Sequence, residues 1–309
     1  MKSHHKVILK SSSQMNEIND ESIDLVVTSP PYPMIEIWDN LFSQLNPIIA
    51  DYLKNGKGSK AFELMHQELD KTWNELFRVL KDGGIVCINI GDATRKIGNE
   101  FQLFSNHSRI LTHLSQLGFT VLPEIIWRKQ SNKPNKFMGS GMLPPNAYVT
   151  QEHEYILIFR KGKGRSFSTD AKKIRSASAY FWEERNIWFS DIWTDLKGID
   201  QTLDGNSTER NRSAAYPFEL AYRLINMFSV QNDTVLDPFL GTGTTLLAAA
   251  ASNRNSIGYE IDEGFKNIIQ KNIQNAKGFL NDYILKSCLL YTSDAADELD
   301  GVDLGGRRI

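Results

Sequence analysis

The stretch that most constrains the fold runs from Thr234 to Ala250 and reads TVLDPFLGTGTTLLAAA. Its first residues form a short apolar run that predicts a buried strand, and its alanine-rich end predicts a helix. Gly241 and Gly243 lie between the two, where glycine lets the backbone turn sharply and approach a ligand closely. The amide groups that open the helix would point at that ligand. The succession of strand, glycine turn and helix therefore indicates an α/β fold with a ligand site at the turn.

The remainder of the chain repeats this alternation. Strands that alternate with helices favour an α/β fold with a mostly parallel sheet. Pro123 lies inside one predicted strand and indicates an edge position or a bulge there. The predicted strands are Lys6–Leu9, a strand ending at Thr28, Gly84–Ile90, Thr120–Trp127, Glu154–Phe159, Thr234–Asp237 and Ser256–Ile261, and the predicted helices are Phe62–Leu80, Ser108–Phe119, Pro217–Phe228, Thr244–Ser252 and Gly264–Leu280.

An acid follows the glycine turn at a distance typical of nucleotide-binding folds. Glu260 closes the next predicted strand, 19 residues after Gly241, where a partner for ribose hydroxyl groups is found in such folds. No Gly-Lys-Ser/Thr follows the turn, which excludes a Walker loop, and the third glycine of the dinucleotide fingerprint is missing. The pattern therefore favours an adenosine-type ligand without a pyrophosphate. The alternative is a structural turn with a helix cap.

A second motif ends the predicted strand DLVV. It reads Thr28-Ser29-Pro30-Pro31-Tyr32. Two adjacent prolines fix φ and donate no backbone hydrogen bond, so the strand must end there. A turn does not require a hydroxyl group, a rigid double proline and an aromatic ring together. The combination suits a pocket for a flat ring that carries an amine.

The cysteine count and the hydropathy pattern exclude several classes of protein. Cys87 and Cys288 are the only cysteines, and there is no C-x-x-C or H-E-x-x-H pattern, so neither a disulfide framework nor a metal site is predicted. No apolar run approaches the roughly 20 residues of a membrane-spanning helix, and no signal peptide opens the chain. We therefore expect a cytoplasmic protein with no metal and no membrane partner.

Positive charge is concentrated in the middle of the chain. Between Arg128 and Arg175, eleven basic residues face three acidic ones, and Gly, Ser and Asn are interleaved. Such a stretch suits a phosphate backbone, although it is also compatible with a solvated loop. From Lys161 to Arg212 the periodicity is poor and polar residues dominate, which indicates an irregular insertion.

Together, the motifs at Thr28–Tyr32 and Asp237–Thr245 resemble the amino-DNA methyltransferases. These enzymes transfer a methyl group from S-adenosylmethionine (SAM) to an exocyclic amine of cytosine or adenine. The resemblance covers nearly all of residues 6–286, and the catalytic motif precedes the glycine loop, as in the β class of the family. It implies a Rossmann-like SAM-dependent methyltransferase fold with a mostly parallel twisted sheet, a circularly permuted motif order and an irregular target-recognition insertion.

The resemblance also implies a division of the chain. Residues 1–130 form the catalytic half of the methyltransferase domain, and residues 213–286 form its SAM-binding half. Residues 131–212 form the target-recognition region, except that strand 154–159 belongs to the core sheet. The last residues, Cys288–Ile309, resemble a translated sequencing-adapter read-through, so residues 287–309 are predicted to be a non-native tail. The alternative is a natural acidic tail.

Residue roles are carried over by the same resemblance. The catalytic residues are Ser29, Pro30, Pro31 and Tyr32: the Ser29 hydroxyl and the Pro30 carbonyl accept hydrogen bonds from the amine, and Tyr32 stacks on a flipped-out base. Ser11 stands near the place where many members have an Asp that contacts adenine. The cofactor-binding residues are Ser11, Asp237, Pro238, Phe239, Gly241, Gly243, Thr244 and Glu260, and the DNA-binding residues are Lys129, Lys133, Lys136, Arg165, Arg175, Arg185 and Arg212.

The resemblance also implies a target base, through Ser29, and a set of partners. Ser-Pro-Pro-Tyr resembles the cytosine-N4 group, whereas Asp-Pro-Pro-Tyr is the commoner form in adenine-N6 enzymes, so Ser29 favours cytosine N4. Double-stranded DNA is the expected partner, and a cognate restriction endonuclease is a second candidate. The alternatives are an adenine-N6 enzyme with the same mechanism and a catalytically inactive DNA-binding relative.

Overall fold

A computed structural model describes residues 3–129, 138–198, 216–275, 278, 280 and 281. Lys133, Lys136, Arg212 and the predicted tail lie outside the described residues. The strands are β1 His5–Ile8, β2 Ile23–Thr28, β3 Leu80–Ile90, β4 Ala93–Ile97, β5 Glu100–Phe104, β6 Thr120–Arg128, β7 Met138–Gly139, β8 Ala147–Tyr148, β9 His153–Arg160, β10 Ile192–Trp193, β11 Thr234–Asp237 and β12 Asn255–Tyr259. The helices are α1 Asp39–Leu45, α2 Ile48–Lys54, α3 Gly58–Val79, α4 Asn106–Gln116, α5 Thr169–Ala177, α6 Trp182–Trp188, α7 Phe218–Phe228, α8 Thr244–Ala251 and α9 Lys266–Gln274.

Among the described residues, eight strands form one mixed sheet in the order β1-β12-β11-β2-β3-β9-β6-β10. β9 runs antiparallel to β3 and β6, and every other neighbouring pair is parallel. The parallel strands therefore end at one edge of the sheet, where ligands bind in open α/β folds. The predicted α/β fold with a mostly parallel sheet is confirmed.

Both faces of the sheet are covered by helices. Alternate residues of β2 point to opposite faces, with Val26 in the core under α3 and α4 and Leu25 and Val27 in the core under α7 and α8. Because both faces are buried, the centre of the strand, Leu25–Val27, reads as an unbroken apolar run rather than an alternating one. This explains why its position was predictable from the sequence.

Several elements differ from the prediction. α1, α2 and the β4–β5 hairpin had no clear signal, and α5 and α6 are regular helices inside the region predicted to be irregular. The pairing of β6 with β9 shifts register between Leu122 and Ile125, so the predicted bulge at Pro123 is confirmed. In the part of the chain that the structure describes, no helix is long and apolar enough to cross a membrane.

Candidate active site

The two sequence motifs meet at the carboxyl edge of the sheet. Thr28 ends β2 and Asp237 ends β11, and these strands are parallel neighbours. The Thr28 hydroxyl donates a hydrogen bond of 2.7 Å to Asp237 Oδ1, although the two residues are 209 positions apart. This hydrogen bond therefore joins the start of the proline motif to the start of the glycine loop.

Asp237 organises the start of the glycine loop. It is buried, and its Oδ1 also accepts from the Phe239 amide at 3.0 Å. Its Oδ2 accepts from the Thr245 hydroxyl at 2.5 Å and from the Tyr216 hydroxyl at 3.3 Å. Burial raises the pKa of Asp237, and these hydrogen bonds oppose that rise. Because its oxygens accept four hydrogen bonds inside the protein, the carboxylate fixes the loop, and a direct contact of Asp237 with the cofactor stays a prediction.

Positive φ angles shape the glycine loop itself. Gly241 has φ +54° and Gly243 has φ +88°, a region that side chains with a Cβ rarely adopt. Gly243 is the N-cap of α8. The Gly241 amide donates to Glu260 Oε2 at 2.7 Å, and the Asp262 amide donates to Glu260 Oε1 at 2.8 Å. Burial raises the pKa of Glu260, and the two amides counteract this effect.

A cavity of about 940 Å³ connects the loop with the proline motif. Of the predicted catalytic residues, Ser29 and Pro31 line it, whereas Pro30 and Tyr32 are buried and do not, so the cavity joins part of each predicted site. The Ser11 hydroxyl, also at the wall, donates to Ser13 Oγ at 3.1 Å. The predicted cofactor-binding residues at the wall are Ser11, Asp237, Pro238, Phe239, Gly241, Thr244 and Glu260.

Tyr32 is more buried than a residue that stacks freely on a base. It is only 9% exposed, and its hydroxyl donates to Glu154 Oε2 at 2.9 Å. The Ser29 hydroxyl donates to the Tyr32 oxygen at 3.2 Å, and Asn89 Nδ2 donates to the same oxygen at 2.9 Å. Burial, followed by the neighbouring Glu154 carboxylate, raises the pKa of Tyr32 well above its ordinary value. Stacking of Tyr32 on the base stays a prediction.

Glu154 and Asn89 are site residues that the sequence analysis missed. Glu154 lies near the start of β9 and Asn89 near the end of β3, and the antiparallel pairing brings these two positions to the same edge. Lys129, a predicted DNA-binding residue, lies at this edge too and donates to Glu154 Oε1 at 2.9 Å. An acid at the start of a buried strand was the available signal, but it indicates a site only when the strand direction is known.

Two predicted DNA-binding arginines lie at the opposite edge. Arg165 donates two hydrogen bonds, of 2.6 and 2.8 Å, to Asp233, which precedes β11. The guanidinium groups of Arg175 and Arg165 both lie over the Phe167 ring, at 4.8 and 5.0 Å from its centre. The eight residues of β9, which span about 26 Å, carry the chain from the site to this remote edge. The basic stretch is therefore divided between two edges of the sheet, and DNA contacts by Arg165 and Arg175 stay a prediction.

The remaining described candidate is Arg185 on α6, which is exposed and lies over the Phe189 ring at 5.5 Å. Among the described residues, no group of three or more His, Cys, Asp or Glu side chains could hold a metal ion.

An open α/β sheet with its cavity at this edge is the architecture of the SAM-dependent methyltransferases. The N6_N4_Mtase family model, described as DNA methylase, matches residues 23–271, and the chain belongs to this family. It is therefore a SAM-dependent DNA methyltransferase.

Sequence relatives support this assignment. The chain is 60% identical over 288 residues to the type II methyltransferase M.MthZI of Methanothermobacter thermautotrophicus, covering 93% of this chain and 81% of that protein. It is 54% identical over 281 residues to the type II methyltransferase M.MjaI of Methanocaldococcus jannaschii, covering 87% and 91%.

Solved structures agree. A putative DNA modification methylase from Thermus thermophilus, complexed with S-adenosyl-L-methionine, superimposes with a TM-score of 0.69 at 30% identity. The match covers 88% of this chain and 94% of that one. The cytosine-N4-specific PvuII DNA methyltransferase has a TM-score of 0.52 at 18% identity and covers 91% and 93%, a likeness of fold.

Proposed function

We propose that the protein methylates the exocyclic N4 amine of cytosine at a specific site in double-stranded DNA. One observation carries the proposal: Ser29, the first residue of Ser-Pro-Pro-Tyr, lines the same cavity as the glycine loop. The catalytic residues are Ser29, Pro30, Pro31 and Tyr32. The two type II methyltransferases that resemble this chain also suggest that it works beside a restriction endonuclease.

The residues at the glycine loop fit SAM. SAM supplies an electrophilic methyl group when it is bound. Glu260 would hold the ribose hydroxyls, because both of its oxygens already accept from loop amides and keep further lone pairs for the cavity. Gly241 has open space where a Cβ would stand, so a ligand can approach its backbone. Ser11, at the same wall, offers a hydroxyl to the adenine.

Ser29 and Pro30 would activate the amine. An exocyclic amine is a poor nucleophile because its lone pair is delocalised into the ring. A hydroxyl oxygen and a carbonyl oxygen that accept hydrogen bonds from its N–H groups localise electron density on nitrogen as the transition state forms. Pro30 and Pro31 hold that carbonyl in place before the base arrives, so little ordering remains at the moment of reaction.

The base must leave the duplex to reach this cavity. Extrusion costs a few kcal/mol of stacking and pairing, which contacts with the DNA backbone must offset. Lys129 lies at the edge that carries the site, and Lys133 and Lys136 follow it closely in the chain. We assign these three residues to the DNA surface and leave Arg165 and Arg175 out.

The full chain, incubated with SAM and unmethylated genomic DNA, tests this function. The DNA is digested to nucleosides, which are identified by mass spectrometry. We expect N4-methylcytosine. N6-methyladenine would retain the mechanism but transfer the specificity to adenine, and protein that shifts DNA without binding SAM would indicate an inactive DNA-binding relative.

A further inference from the structure

A chain of hydrogen bonds fixes where the Ser29 proton points. Glu154, whose side chain is 12% exposed, accepts from Lys129 Nζ at 2.9 Å through Oε1 and from the Tyr32 hydroxyl at 2.9 Å through Oε2. A hydroxyl has one proton, so Tyr32 can only accept from Ser29 while it donates to Glu154. The Ser29 proton is thereby turned towards Tyr32, 3.2 Å away.

Asn89 disfavours the reverse direction of these hydrogen bonds. Its Nδ2 donates to the Tyr32 oxygen at 2.9 Å and to Glu154 Oε2 at 2.7 Å. The reversed amide would set an oxygen against the carboxylate. The retained orientation leaves Asn89 Oδ1 buried without a hydrogen-bond partner in the described part of the chain, so the contacts with Glu154 outweigh that loss.

Close packing against Gly91 holds the Tyr32 and Glu154 side chains together. A Cβ at Gly91 would stand 3.1 Å from the Tyr32 ring and 3.3 Å from Glu154 Cγ, so the backbone of Gly91 lies directly against both side chains. Burial and the adjacent carboxylate raise the pKa of Tyr32, which keeps its proton available for donation.

We propose that Glu154, held by Lys129, makes Ser29 an acceptor-only group towards the cavity, so that the site selects an exocyclic amine and rejects a ring carbonyl. Glu154 is thus a positioning residue that acts through Tyr32. Cytosine and adenine present an amine that donates, whereas thymine O4 and guanine O6 can only accept. The inference rests on the proposed function and deepens it by naming the group that sets this selectivity.

Glu154→Gln tests the direction of the chain with almost no change in shape. Lys129 will take the amide oxygen, because an ammonium group can only donate. A reversed Asn89 amide could then accept the Tyr32 proton through Oδ1, so this variant and every protein compared with it also carry Asn89→Leu. In that background the new NH₂ group faces Tyr32, whose proton turns towards Ser29, and Ser29 donates into the cavity. We expect kcat to fall by about 10- to 100-fold while KM for DNA and the Kd of SAM stay within about threefold.

A second substitution should reverse the effect. In Glu154→Gln/Lys129→Met, made in the same Asn89→Leu background, the amide is free to turn its oxygen to Tyr32, which restores the acceptor. We expect this double variant to recover kcat to within about threefold of Lys129→Met. Glu152→Gln is the matched control, because Glu152 pairs with Arg128 at 3.2 Å and is 42% exposed. A purely structural ion pair predicts instead that the double variant is no faster than Glu154→Gln.

The Tyr32 hydroxyl can be followed without turnover. Carbon-13 at the tyrosine Cζ reports whether the hydroxyl donates or accepts, and Tyr32→Phe assigns the signal. The signal should shift in Glu154→Gln and return in the double variant. An unshifted signal, an unchanged kcat or a double variant without recovery would overturn the inference. A wild-type chain that makes no methylated nucleoside but shows both shifts would refute the proposed function alone.

Discussion

Ser29 is only partly buried and lines the cavity, and its hydroxyl proton is donated to the Tyr32 oxygen. Ser29→Ala removes the proposed acceptor of the amine's hydrogen bond and leaves the glycine loop intact. We expect kcat to fall by about one to three orders of magnitude, because a transition-state acceptor is lost. The Kd of SAM should not change. Methyl transfer from radiolabelled SAM and calorimetry measure the two quantities.

Ser108→Ala on the exposed face of α4 is the matched control and should behave as wild type. A Ser29→Ala protein with a wild-type rate would remove Ser29 from the mechanism.

A substitution at Glu260 tests cofactor binding separately from the methyl-transfer step. Its carboxylate accepts hydrogen bonds from the Gly241 and Asp262 amides, so Glu260→Ala removes the proposed ribose contact and also releases the loop. We expect the Kd of SAM to rise by about 10- to 100-fold, consistent with the loss of charge-assisted hydrogen bonds. Calorimetry measures this directly, with Glu183→Ala on the exposed surface of α6 as the control. Unchanged affinity would contradict the assignment.

At the scale of elements, the junction of α3 and α4 supports the proline motif. Asn106, the first residue of α4, donates from Nδ2 to the carbonyls of Pro33 and Gly91 at 3.1 and 2.9 Å. Its Oδ1 lies 3.0 Å from Nε2 of His66 on α3. His66 is fully buried, and this burial lowers its pKa to about 3.

The buried histidine gives stability a defined pH dependence. In the unfolded chain the ring titrates near its ordinary pKa of about 6.5. As the pH falls below that value the unfolded chain binds a proton that the folded protein refuses until about pH 3, so stability is lost by up to about 1.4 kcal/mol per pH unit. This contribution is fully present above pH 6.5. His66→Gln keeps a donor for Asn106 but does not titrate, so its denaturation curves should give a flatter dependence between pH 6.5 and 4. Parallel dependences in the two proteins would contradict the role of His66.

Elements with a local signal were predictable, and those without one were not. The strand, glycine turn and helix around Gly241 are continuous in the sequence, and burial on both faces of β2 leaves an apolar run that periodicity detects. The β4–β5 hairpin is short and only partly buried, so its apolar pattern is weak. The contact between Tyr32 and Glu154 joins residues 122 positions apart, and nothing local to either residue announces it.

At the scale of the whole molecule, strand direction decides which basic residues lie at the edge of the sheet that carries the site. Composition alone groups all basic residues from Arg128 to Arg175. β9 carries the chain across the sheet and places the residues after it, including Arg165, beside Asp233 at the amino edge. The sequence could not separate the two groups, because the antiparallel direction of β9 depends on its pairing with β3 and β6.

Two pairs of lysines test this division with equal changes in charge. Lys172 and Lys173 lie on α5, whose end contacts Gln231 just before β11 at the amino edge. Lys133 and Lys136 follow the end of β6 in the sequence. Each lysine that neutralises a phosphate contributes about 0.9 to the slope of log affinity against log salt concentration. We expect Lys133→Ala/Lys136→Ala to weaken DNA binding and reduce this slope by up to about 2, and Lys172→Ala/Lys173→Ala to change neither. Fluorescence anisotropy with duplex DNA across a salt series measures both. If the α5 pair instead reduces the slope, DNA also contacts the amino edge, and the separation of the two basic groups by β9 has no functional consequence.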